Sequence, residues 1–261
     1  MWPTTSTGLV LVRVVTGVVM WTDEAAGDPS AESRGCPTVR TVDGSDQATT
    51  DGAVWVIVVA AGSGTRFGGA KQYEQLADRR VLDWSLEAAR SCADGVVLVV
   101  GDGAPTDEPA DRVVIGGATR ADSVRAGLAV VPEEAEIVLV HDAARPLATP
   151  ALFGSTVDAV RSGAEAVVPG VTPVDTIRSV AGGVVDRDGL VAVQTPQGFL
   201  AAVLRRAHAD GGDATDDAGL VEHIGGVVKV IAGESANRKI TTPDDLVMAA
   251  ALLNRHQGVQ P

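Results

Sequence analysis

The chain has 261 residues, 45% hydrophobic and 21% charged, the balance of a folded globular protein and not of a disordered one. Its formal net charge is −13 and only 3% of its residues are aromatic. Nucleic acid is thereby excluded as the main ligand, since it needs a basic field and stacking platforms; a small anion held by a local cluster of cations is not.

Residues 1–52 read as an N-terminal extension. The apolar stretch 8–21, GLVLVRVVTGVVMW, is interrupted by Arg13. It is shorter than the ~20 apolar residues of a membrane span and lacks the positive start of a signal peptide. No membrane association is expected. Residues 22–52 are rich in Asp, Ser, Thr, Gly and Ala without apolar periodicity, the composition of a disordered segment. Cys36 and Cys92 sit in no metal-ligand or redox spacing. Two isolated cysteines fit a cytoplasmic protein without a disulfide scaffold or zinc site.

From Ala53 the pattern changes, and one folded domain is expected over 53–256, followed by a short tail, 257–261. Valine-rich runs at 53–60, 95–100, 112–116, 136–142, 164–169 and 227–233 read as buried strands. Between them 81–93, 120–131 and 150–163 carry helical apolar spacing. The last helix has a defined start, with Thr242 as cap, Pro243 next and two aspartates in the first turn. This alternation predicts an α/β fold, a Rossmann-like, mostly parallel sheet with helices on both faces. One stretch breaks it. Over 172–197 the β-prone pieces around Gly182-Gly183 and Asp188-Gly189 read as hairpins, and the segment as a protruding β arm.

The first strand runs into a glycine-rich turn, AAGSGTRFGGAKQY (60–73), whose backbone can aim N–H groups at an anion. A P-loop is excluded because Lys71 is followed by Gln72 and not by Ser or Thr. A dinucleotide fingerprint is also incomplete. Phe67 stands where a small residue belongs, and Asp83, at the distance of the ribose-binding acid, lies in a helical pattern. A nicotinamide-dependent oxidoreductase is therefore a remote alternative. Arg66 and Lys71 follow the glycines with no acidic residue before Glu74, and lysine occurs elsewhere only at 229 and 239.

This turn resembles the nucleotide-binding signature of sugar- and polyol-phosphate nucleotidylyltransferases. GGATRADSVRAGL (116–128), VLVHDAARP (138–146), TPQGF (195–199), ATDDAGLVE (214–222) and NRKITTPDDL (237–246) narrow the likeness. The chain is similar over roughly 53–254 to the 2-C-methyl-D-erythritol 4-phosphate cytidylyltransferase family, with ribitol-5-phosphate cytidylyltransferase as the nearby alternative.

The resemblance implies cytidylyl transfer from CTP to a polyol phosphate, with release of pyrophosphate and a need for Mg²⁺ or another divalent cation. It places Arg66, Lys71 and Lys239 on the triphosphate, and Ala60, Ala61, Gly62 and Gly64 along the nucleotide. Gly117 and Ser123 would recognise cytosine and ribose. Asp142 would hold the metal; it closes an apolar strand, where ligands gather in open α/β sheets. Arg187, Asp175, Thr176 and Thr215 would face the polyol phosphate. In the family the arm crosses to a twofold-related subunit, so a homodimer with exchanged arms is implied. Thr65 and Ala118 depart from the family pattern, in which basic and acidic residues are common at those places. His141 is expected to be packed, Arg120 and Asp122 to serve helix and loop structure, and His208 and His223 to lie on the surface.

Overall fold

The computed structural model describes residues 52–256 and two three-residue strands ahead of them, Arg13–Val15 and Val18–Met20, which pair antiparallel. The disordered segment expected over 22–52 lies outside the described residues except for Gly52, and the tail 257–261 lies outside them entirely.

An eight-stranded sheet organises the domain. Its strands are β1 (Ala53–Ala60), β2 (Gly95–Val100), β3 (Arg112–Ile115), β4 (Ala135–Asp142), β5 (Ala166–Val171), β6 (Ala192–Val193), β7 (Gln197–Leu200) and β8 (Val228–Ala232). β1 lies between β4 and β2, with β3 outside β2, all parallel. On the other side β7 runs antiparallel between β4 and β5, and β8 pairs β5 in parallel.

Helices cover both faces, as the alternation predicts. They are α1 (Val81–Arg90), α2 (Arg120–Leu128), α3 (Pro150–Arg161), α4 (Ala201–His208), α5 (Asp217–His223) and α6 (Pro243–His256). The period-2 pleat of β1 divides its side chains between two cores. Val54, Val56 and Val58 pack with Leu86 of α1 and Phe153 of α3, while Ile57 packs with Val124 of α2 and Leu204 of α4. A third cluster seats α6 through Ala249 and Leu253 on Leu76, Val81 and Ile240.

Two features differ from the sequence reading. β7 was not anticipated as a strand, because its four residues, QGFL, are too few to show alternation. The arm holds one hairpin, Ile177–Arg178 against Val184–Val185, turning through Gly182 and Gly183 at φ +112° and +83°. Asp188-Gly189 forms a turn, with the Leu190 N–H donating to the Arg187 carbonyl at 3.0 Å, and no second hairpin follows. The chain instead re-enters the main sheet as β6, where Ala192 pairs Val171.

Candidate active site

β1, β2 and β4 end level, with Ala60 beside Val100 and Val59 beside Asp142, and a cavity of about 420 Å³ opens at their carboxyl ends. The glycine turn forms one wall. Gly64 has φ +66°, and a Cβ there would fall 1.8 Å from the Gly69 carbonyl, so only glycine fits. Its carbonyl accepts the N–H groups of Phe67 and Gly68 at 2.8 and 2.9 Å, curling the turn back on itself. Buried Gln72 fastens the end of the turn, its Nε2 donating to the Ala60 carbonyl at 2.8 Å. The curl leaves Ala60, Ala61, Gly62, Gly64, Arg66 and Lys71 on the cavity wall.

The facing wall is the start of α2. Thr119 caps the helix: its Oγ1 accepts the Asp122 N–H at 3.0 Å, and Asp122 returns the bond by accepting the Thr119 N–H at 3.1 Å. This reciprocal cap gives Asp122 the structural role expected of it. A Cβ on Gly117 would lie 2.2 Å from that of Asp122, so the chain passes too close for a side chain. Gly117 and Ser123 both line the cavity, Ser123 buried with its Oγ donating to the Thr119 carbonyl at 3.0 Å.

Asp142 forms the floor. Lys239 Nζ meets its Oδ2 at 2.7 Å, and Arg120 Nε meets its Oδ1 at 3.3 Å. Burial works against its charge, but Arg120 and Lys239 outweigh burial and hold the carboxyl far below the usual range. Lys71 is driven the other way. Burial lowers its pKa, and the like charges of Lys239 and Arg66 lower it further. Among the described residues neither Arg66 nor Lys71 has an acidic partner within ion-pair distance. The cavity thus gathers Arg66, Lys71, Arg120 and Lys239 around one carboxylate and is short of negative charge.

Arg120 was missed at the sequence level, where nothing distinguishes it from other helix arginines. Its Nη1 bonds buried Asp217 at 2.7 Å, and Asp217 in turn takes His208 Nε2 at 3.1 Å. His208 is therefore buried against Asp217, not exposed as its helical pattern suggested. His223 is exposed, as expected. His141 is fully buried, its Nδ1 3.1 Å from Thr195 Oγ1 and its ring 4.9 Å from that of Phe153, and burial pushes its pKa down to about 4.

Asp175, Thr176, Arg187 and Thr215 do not line the cavity; all four are exposed. The Arg187 guanidinium donates to the Val174 carbonyl within the arm. In the same arm Val174, Val180 and Val184 are 85%, 109% and 62% exposed.

A glycine turn and four cations at the carboxyl edge of parallel strands, opposite a small-residue helix start, form a site suited to the phosphates of a nucleotide. Similarity to known proteins gives the class as nucleotidyltransferase. Residues 54–255 match the family model "IspD: 2-C-methyl-D-erythritol 4-phosphate cytidylyltransferase". The enzyme of that name from Nocardia farcinica is 45% identical over 234 residues, 82% of this chain and 100% of that protein. A bifunctional IspD/IspF enzyme from Nitratidesulfovibrio vulgaris is 42% identical over 76% of this chain, which spans 57% of that longer protein. The crystal structure of the cytidylyltransferase from Thermus thermophilus superposes with a TM-score of 0.68 at 38% identity, covering 77% of this chain and 98% of that one. The chain belongs to the 2-C-methyl-D-erythritol 4-phosphate cytidylyltransferase family.

Proposed function

We propose that the chain transfers the cytidylyl group of CTP to 2-C-methyl-D-erythritol 4-phosphate as a homodimer whose arms are exchanged. The observation that carries the chemistry is the convergence of Arg66, Lys71, Arg120 and Lys239 on one cavity beside a single buried carboxylate. An oxygen of the acceptor phosphate attacks the α-phosphorus, the bond from that phosphorus to the bridging oxygen breaks, and pyrophosphate leaves. A phosphate monoester has a second pKa of about 6, so the nucleophile is already an oxyanion and needs no general base. That agrees with the neighbourhood of the floor: His141 is fully buried and absent from the cavity wall, so its ring does not reach a substrate proton.

What remains is to bring two anions together and to stabilise charge on the reacting phosphoryl group. Arg66 and Lys71 take the triphosphate from the turn side, and Lys239 takes the α-phosphate from across the cavity. The amides and small side chains of Ala60, Ala61, Gly62 and Gly64 admit the nucleotide closely, and Gly117 and Ser123 read base and ribose.

The donor set suits Mg²⁺ or another hard divalent cation brought in with the phosphates. Such an ion needs only one or two carboxylates from the protein. Among the described residues there is no cluster of three potential metal ligands, and Asp142 is the one acid on the cavity wall. Asp142 would hold the ion while sharing its carboxylate with Arg120 and Lys239; when bound, the ion neutralises phosphate charge.

Arg187, with Asp175, Thr176 and Thr215, is assigned to the acceptor. The exposed valines of the arm support its docking on a second copy, which would bring Arg187 to the neighbour's cavity. The proposal also takes 53–256 as one catalytic domain and 1–52 as an appendage, in line with the family match over 54–255. It places the protein in the cytoplasm; Cys92 is unpaired, and among the described residues no helix is long and apolar enough to cross a membrane.

A pyrophosphate-release assay crossing four nucleoside triphosphates with methylerythritol phosphate and ribitol 5-phosphate tests this reading. Release is expected with CTP, divalent cation and methylerythritol phosphate together. Turnover with ribitol 5-phosphate alone would reassign the acceptor.

A further inference from the structure

Lys239 stands on a stretch without regular structure. Residues 233–242, between β8 and α6, form neither helix nor strand. The Lys239 side chain is 40% exposed, and its ammonium has the Asp142 carboxylate as its bonded partner. What fixes the loop is a pair of buried amides, Asn237 two residues earlier and Gln194 from outside the loop.

Asn237 is fully buried. Its Nδ2 donates to the Thr195 carbonyl at 2.9 Å and to Gln194 Oε1 at 3.3 Å, while its Oδ1 has no partner among the described residues. The opposite amide orientation would set an oxygen against two acceptors, so the donor side must face Gln194 and Thr195. Gln194 is 5% exposed and clasps the same loop: Nε2 donates to the Glu234 carbonyl at 2.8 Å, and Oε1 accepts the Glu234 N–H at 3.0 Å. Arg145 Nη1 completes the clasp on the Asn237 carbonyl at 2.8 Å. These bonds supply the order that a helix or strand would otherwise give the loop.

Gln194 and Thr195 occupy the root of the arm, between β6 and β7, and Thr195 also holds the other member of the ion pair. Its Oγ1 accepts the Asp142 N–H at 3.0 Å. Thr195 thus ties together both sides of the Lys239–Asp142 pair, through the Asp142 N–H and through Asn237 of the lysine's loop.

We propose that Asn237 and Gln194 are positioning residues for Lys239: their clasp sets the ammonium against Asp142 at the place where the triphosphate is bound. The inference rests on the reading that Lys239 binds that triphosphate. The test is a cycle of CTP affinities, measured by calorimetry on the full chain, for wild type, Asn237→Ala, Lys239→Ala and the double variant. Asn237→Ala should weaken CTP binding about tenfold in the wild-type background and less than about twofold once Lys239 is already alanine, because the clasp acts through that side chain. No loss in the wild-type background, or losses in the two backgrounds that agree within about twofold, would overturn the inference. An unchanged affinity in Lys239→Ala alone would instead overturn the reading of the site. If Asn237→Ala loses cooperative melting, Gln194→Ala runs the same cycle from the arm side, with the same outcomes deciding.

Discussion

At the residue scale the site turns on a few unneutralised charges. Lys71→Ala should lower turnover by ~10²–10³, the usual cost of losing one preorganised partner of developing charge; near-normal turnover would remove Lys71 from the chemistry. The pH profile carries a second signature. Burial, with Lys239 and Arg66, lowers the Lys71 pKa, so as pH rises its proton is lost earlier than from an ordinary lysine. The alkaline fall in kcat/KM should therefore lie below the range of a free lysine, and Lys71→Arg, with a guanidinium that stays charged, should move it upward while lowering the rate. On the acid side the limb should follow the acceptor phosphate near about pH 6. Asp142 stays ionised there, its carboxyl held far below that range. Arg187→Ala should raise the KM for the acceptor and leave CTP affinity unchanged by calorimetry; weakened CTP binding would show that the arm serves the nucleotide.

At the scale of elements, α1 depends on an arginine at its threshold. The Arg80 N–H donates to Asp83 at 2.9 Å, and its guanidinium grips Asp83 at 2.6 Å and Glu108 at 2.8 Å. The Glu108 side chain is 4% exposed, so Arg80→Met leaves a buried carboxylate alone and should cost about 3 kcal/mol in urea unfolding. A loss within a few tenths would mean that Glu108 reaches water in the variant. The elements themselves were largely legible, because buried parallel strands are continuous runs of valine and β1, β2 and β4 fall where those runs stand. β7 was not, since four residues carry no period. The candidate site divides in the same way. The glycine turn, Lys71 and Asp142 announce themselves by local composition or by their place at a strand end. Arg120 and Asn237 do not, because their roles come from partners 97 and 42 residues distant in the chain. His208 was misplaced for the same reason: helical spacing gives the face it lies on but not the Asp217 that is buried beside it.

At the scale of the whole molecule, the proposed dimer with exchanged arms makes one demand that a single chain, with Arg187 off its own cavity wall, does not. Mixing Lys71→Ala with Arg187→Ala subunits, after dissociation and reassociation, should restore activity. The hybrid then holds one site with both lesions and one with neither. If each arm served its own cavity, every site would carry a lesion and mixing would restore nothing.

The arm leaves the sheet after Val171 and returns at Ala192, and these two residues face each other across β5 and β6. An insertion closed at its base in this way has a length independent of the sheet's register. The proposed nucleotide site is framed by the ends of β1, β2 and β4, which cannot drift without refolding the core, whereas the proposed acceptor half hangs mostly on a cassette with adjoining ends. In descent, a lineage could exchange one polyol phosphate for another by rewriting some twenty codons there, and its nucleotide chemistry would be inherited intact.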